Sequence, residues 1–125
     1  MKRLTAEWVQ KAEHDFQAAK ALTGEKLPLH EVVCFHCQQA AEKYLKALLQ
    51  EVGAPVPRTH LLVALLKLVS RHYRLPGLRR GLDFLTRFAV ETRYPGKSAS
   101  KRQATAALRW AGKVRGACRA LLKIN

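Results

Sequence analysis

Cys34-Phe35-His36-Cys37-Gln38-Gln39-Ala40-Ala41-Glu42-Lys43-Tyr44-Leu45-Lys46-Ala47-Leu48-Leu49 is the stretch whose spacing decides the fold. Cys34, Cys37, Ala41, Leu45, Leu48 and Leu49 recur at intervals of three and four, which puts them on one face of a helix predicted over about 29–52. His36, Gln39, Lys43 and Lys46 fall together on another arc. Two lysines and a glutamine at that spacing could hold phosphate oxygens. Equally, Glu42 stands four residues before Lys46 and could draw it into ordinary helix-surface pairing.

Outward from this stretch the same period continues. Towards the N-terminus, Trp8, Ala12, Ala19 and Leu22 form a stripe with Phe16 beside it, giving a first helix over about 5–23 with Thr5 as its cap and Gly24 as its end. Asp15 lies in the middle of that stripe. A carboxylate there is expected to be buried and structural, paired with a basic or hydroxyl group from another helix.

Beyond the long helix, Gly53-Ala54-Pro55-Val56-Pro57 reads as an extended connector, because each proline pushes its predecessor out of helical space. Thr59 is the expected cap of a third helix over about 60–73. Its leucines and valines (Leu61, Leu62, Leu65, Leu66, Leu68, Val69) cover much of its circumference, as expected of a central helix or one buried in a dimer. Pro76-Gly77 precedes a fourth helix over about 78–91, with Leu78, Leu82, Leu85 and Ala89 inward. Ser98 or Ser100 opens a fifth that runs to about Lys123, with Ala104, Ala107, Leu108, Ala111, Val114, Cys118, Leu121 and Leu122 on its apolar stripe. No segment alternates as a strand does. The expected fold is all-α, an antiparallel bundle of about five helices forming one domain over 1–125.

Charge separates the two halves. Residues 1–70 carry 9 basic and 7 acidic side chains, whereas residues 71–125 carry 14 basic and 2 acidic ones. On the last helix Lys101, Arg102, Arg109, Lys113, Arg119 and Lys123 occupy a contiguous arc opposite the apolar stripe. Such asymmetry raises the local concentration of anions and points to a polyanionic partner; a solvated surface is the plainer alternative. Between the fourth and fifth helices, Arg93-Tyr94-Pro95-Gly96 forms a turn. There Tyr94 could stack on a base and Arg93 grip a phosphate, or Tyr94 could pack beneath the loop while Arg93 neutralises Asp15.

No apolar run approaches the roughly 18–20 residues that span a bilayer, and Met1-Lys2-Arg3-Leu4 lacks the apolar core of a signal segment, so a cytoplasmic location and no membrane partner are expected. Cys34 and Cys37 form a C-x-x-C without a second pair, on the core face of a helix. With Cys118 they read as buried apolar side chains, and neither metal nor cofactor is expected, although His30 and His36 flank the pair.

Trp8, Ala12, Asp15 and Ala19, then the 34–47 stretch, then Thr59-His60, then Arg93-Tyr94-Pro95, together resemble the HEPN domain family over nearly the whole chain. The resemblance implies a helical bundle like the substrate-binding subunit of nucleotidyltransferases. It also implies a homodimer, often encoded beside a minimal nucleotidyltransferase in toxin–antitoxin-like pairs, and binding of a nucleotide or RNA. Members of the wider superfamily are metal-independent ribonucleases that use an Arg-x4–6-His motif. None of the five histidines here (His14, His30, His36, His60, His72) has an arginine at the required distance. Lys67-x4-His72 is the nearest substitute, and lysine lacks the bidentate fork. Leu61 also stands where many relatives carry Asp after Thr-His.

The expectation is therefore a non-catalytic binding module. Gln39, Lys43, Lys46, Arg93 and Tyr94 are its nucleotide or anion site and the last helix is its basic face. A divergent ribonuclease using His60 or His72, and a structural subunit docking an acidic protein, are the alternatives.

Overall fold

The computed structural model describes residues 1–24, 26–90 and 94–125. Among the described residues five helices follow in order, α1 (Arg3–Thr23), α2 (His30–Glu51), α3 (Leu62–Val69), α4 (Arg79–Thr86) and α5 (Lys101–Leu121), and there is no strand. α2 packs against each of the other four. Its thirteen buried residues lie around most of its circumference, as they must in a helix enclosed by neighbours. The central helix is thus α2. α3 buries only Leu62, Leu65 and Val69, and leaves Leu61 exposed.

α1 and α2 form an antiparallel pair. The backbone N–H of Lys2 donates to Glu51, Trp8 to Gln50, and His36 and Lys43 meet Asp15, so the start of one helix lies against the end of the other. The core face expected for α2 is buried as read, including Cys34 and Cys37; on the α5 stripe, Ala104, Ala107, Ala111, Val114 and Cys118 are buried, while Leu108, Leu121 and Leu122 are only half-buried.

Helix ends differ from expectation for local reasons. Thr5 lies inside α1, fully buried, and Lys2 holds the N-cap position without a side-chain cap. α3 begins two residues after the predicted start. The Thr59 hydroxyl accepts from the Leu61 N–H, and the first N–H of the helix, that of Leu62, is met from across the fold by the Thr86 hydroxyl. The same hydroxyl donates to the Leu82 carbonyl. A threonine that bonds back one turn loosens the helix that carries it, and α4 passes from Thr86 into tight i→i−3 turns instead of running to 91.

α2 ends in a Schellman closure, with Gly53 at positive φ and the Ala54 N–H reaching the Leu49 carbonyl. α5 ends likewise, but with Lys123 in the left-handed position. Its start is a capping box: Ser100 accepts from the Gln103 N–H while the Gln103 side chain accepts from the Ser100 N–H.

Candidate functional site

Most of the polar residues that α2 carries inside the bundle belong to one ladder. Gln38, Glu42 and Lys46 are four residues apart, so they stack on one side of the helix. Gln38 donates to Glu42 Oε1 at 3.0 Å, and Lys46 Nζ donates to Oε2 at 2.9 Å. His60, from the segment before α3, brings Nδ1 to 2.7 Å from Oε1. Burial pushes the Glu42 carboxyl upward, but the hydrogen bonds from His60, Lys46 and Gln38 outweigh it and hold the group below the ordinary carboxylate range. Lys46 also lies over the Trp8 ring, 5.7 Å from its centroid. The Gln-Gln…Glu-Lys stretch and the Thr-His pair, distant in sequence, meet here.

Lys46 is therefore not part of an open anion site: it is buried and held by Glu42 and Trp8. Lys43, one residue along from Glu42, is bound to Asp15 at 2.5 Å, with His36 Nδ1 on the other carboxylate oxygen at 2.8 Å. Asp15 is only 12% exposed and draws both partners from α2. The Gln39 side-chain amide donates to Gln38. Tyr94 projects into solvent, 62% exposed, and does not pack beneath its loop; Arg93 lies outside the described residues. Among the four expected anion-site residues that are described, Lys46 is buried and Tyr94 stands out in solvent, so they do not form one open anion site. The two lysines are each neutralised by a separate carboxylate.

A second network was not legible in the sequence. Arg115 donates Nε to Glu13 Oε1 at 2.7 Å and an Nη to Oε2 at 2.9 Å, a bidentate clamp from α5 to α1. The Tyr44 hydroxyl donates to the same carboxylate at 2.5 Å, and Arg119 donates to that hydroxyl at 3.2 Å. The Arg115 hydrogen bond is the main cause that lowers the Glu13 carboxyl to about 2. Burial, then the bond to Glu13, raises the Tyr44 hydroxyl to about 12.

This network removes Arg119 from the predicted basic face, because its guanidinium turns inward to Tyr44 and Glu13 and caps the carbonyl of Asn125. Lys123 leaves the arc too: it lies beyond the last residue of α5, in the left-handed turn. Lys101, Arg102, Arg109 and Lys113 remain, all exposed on α5, with Lys113 over the Trp110 ring at 4.8 Å. Lys101, Arg102 and Arg109 border a shallow surface groove of about 630 Å³. Among the described residues, Arg115 and Arg119 are the only basic side chains of 71–125 that contact a carboxylate.

His60 and His72 open on different grooves. His60 shares one of about 600 Å³ with Arg58, Asp83 and Arg87, and His72 borders an apolar cleft of about 450 Å³ beside Arg71. Burial raises the Cys34 and Cys118 thiols to about 12, and Cys37 higher still, so all three are protonated near neutrality. No group of three or more His, Cys, Asp or Glu side chains that could hold a metal occurs among the described residues. Nor is any helix there long and apolar enough to cross a membrane.

The HEPN domain profile matches residues 5–121. The chain belongs to the HEPN domain family. Its fold is similar to that of TT1696 from Thermus thermophilus, with a TM-score of 0.84 and 26% identity over 95% of this chain and 98% of that one. An archaeal HEPN homologue, ST0689, superposes with a TM-score of 0.75 at 25% identity over 97% of this chain and 98% of its own. A HEPN domain protein of Thermotoga maritima shares the fold with a TM-score of 0.72 at 24% identity, over 94% and 98% of the two chains. No curated protein matches the chain.

Proposed function

We propose that this HEPN domain is an RNA-binding module that grips the phosphate backbone through α5 and does not cleave it. The observation that carries the reading is the row of Lys101, Arg102, Arg109 and Lys113, exposed and free of carboxylate partners among the described residues. At 1.5 Å rise per residue these four cations extend over about 18 Å, longer than a mononucleotide and suited to successive phosphates. The engagement of Lys43 and Lys46 by Asp15 and Glu42 favours this exposed face over the α2 arc as the anion site. The homodimer and the minimal nucleotidyltransferase partner implied by the family belong to the same reading. Light scattering of the chain alone and with the neighbouring gene product tests them.

The decisive experiment is titration of a short single-stranded RNA over a range of salt concentrations. Affinity should fall linearly in a double-logarithmic plot. In the variant with Lys101, Arg102, Arg109 and Lys113 all replaced by Ala, the slope should become shallower by about 3, since each phosphate contact on a single strand releases about 0.7 of a counterion. Absence of binding at low salt refutes the reading. Metal-free cleavage of the RNA that disappears in His60→Ala or His72→Ala replaces it with ribonuclease action.

A further inference from the structure

His60 poses a question that RNA binding by α5 does not answer. Its side chain is 59% exposed, yet it is held by Glu42, whose side chain is only 6% exposed. Burying a carboxylate is costly, and this one is made tolerable by three donors, two of which, Gln38 and Lys46, lie inside the bundle. With Nδ1 facing Glu42, the ring is fixed in orientation and Nε2 is left for the groove that His60 lines. A buried carboxylate that orients an exposed imidazole is how proteins aim a ring at a ligand.

The rest of the groove has matching chemistry. Arg58 enters from the same connector, and Arg87 from the turn after α4, with its guanidinium over the Phe84 ring 5.2 Å from the centroid. Stacking holds that fork flat and pre-organised for an oxyanion. Leu61 and Val90 present apolar side chains 60% and 46% exposed on the same groove, where water alone would be a poor neighbour. Asp83 adds one carboxylate, which would repel a bare anion but accepts hydrogen bonds from ribose hydroxyls or an exocyclic amine. Its volume of about 600 Å³ is that of a small-molecule site.

We propose that this groove seats the phosphorylated terminal nucleotide of a nucleic-acid chain. Arg58 and Arg87 bind the terminal phosphate, Nε2 of His60 shares its proton, Asp83 takes the sugar or base edge, and Leu61 and Val90 carry the base. Glu42 is the positioning residue. A terminal phosphomonoester suits the imidazole better than an internal diester, because its second ionisation lies near neutrality and leaves a proton to share. The proposal rests on the RNA-binding reading only for the chain attached to that nucleotide.

The test compares one ten-nucleotide RNA bearing a 5′-phosphate, a 3′-phosphate or neither, together with adenosine 5′-monophosphate and inorganic phosphate as free probes. One of the phosphorylated RNAs should bind about tenfold or more tightly than the unphosphorylated one. That advantage should vanish in Arg58→Ala and Arg87→Ala, whose exposed side chains can be removed without disturbing the core, and in His60→Ala, which also takes one of the three donors from Glu42. The α5 quadruple variant should weaken all three RNAs alike and keep the advantage. In Glu42→Gln the His60 ring, followed by nitrogen NMR, should lose its fixed Nδ1–H tautomer along with the advantage.

Binding of adenosine 5′-monophosphate without any RNA binding would refute the α5 reading and leave the groove as a nucleotide site. Equal affinity for all three RNAs, with no binding of the free nucleotide, would overturn the groove. So would inorganic phosphate binding as tightly as the nucleotide.

Discussion

At the scale of single residues, Glu13 ties the stability of the bundle to pH. Glu13 is lowered to about 2 from an ordinary value of 4.5, with the Arg115 clamp as the main cause. A carboxyl lowered on folding contributes stability above its unfolded value and loses it as pH falls, so the contribution of Glu13 is complete above about 4.5 and disappears between there and about 2. Glu13→Gln should therefore lower the urea midpoint at pH 6 and converge with the parent near pH 2. The cost at pH 6 should be about 1–2 kcal/mol, modest because Arg115 and Glu13 are 30% and 23% exposed. Asp15 was legible as a paired residue because it interrupts an apolar stripe. Glu13 lies at the edge of that stripe and meets an arginine 102 residues away, and periodicity carries no information about such a partner.

At the scale of elements, α4 and α5 meet where a glycine removes a side chain. A Cβ on Gly81 would lie 2.1 Å from Cε3 of Trp110, so the indole lies directly on the α4 backbone. Helix propensity alone would make Gly81→Ala stabilising by up to about 1 kcal/mol. The overlap should reverse that sign, costing about 1–3 kcal/mol, visible as a lower melting temperature; a melting temperature equal to or above the parent's would show that Trp110 swings aside. Helix existence and inward faces were readable from spacing. The ends of α3 and α4 were not, because Thr86 serves both helices and its partner Leu62 is 24 residues away. Lys46 was open to two readings in sequence. Its choice of Glu42 over a phosphate depends on how deeply α2 sinks among four neighbours, a tertiary fact.

Across the whole molecule, the three cysteines report on the integrity of the bundle. Cys34 and Cys37 face the core from α2, and Cys118 does so from α5, each fully buried with its thiol raised. Reaction with a thiol reagent at neutral pH should be negligible in the native state and should release three equivalents in denaturant. Rapid labelling of Cys118 alone would instead reveal independent opening of α5. Charge was the most legible whole-molecule property, and its location on α5 was readable. Its reduction from six side chains to four came from Arg119 turning inward and Lys123 passing the end of the helix.

The Glu13–Arg115 clamp also bears on how the chain is made. α1 and α2 are neighbours in sequence and can pair as soon as both have left the ribosome, at the modest entropic cost of a short loop. The arginine that locks them arrives 102 residues after its carboxylate, when all four other helices have already been synthesised. Until then one side of α2 is bare, and the nascent chain presents its apolar face to whatever is near, a state suited to chaperones and prone to association. Docking of α5 ends that exposure and fixes the row of cations in place in the same event, so a newborn molecule presents its basic face only when it is no longer sticky.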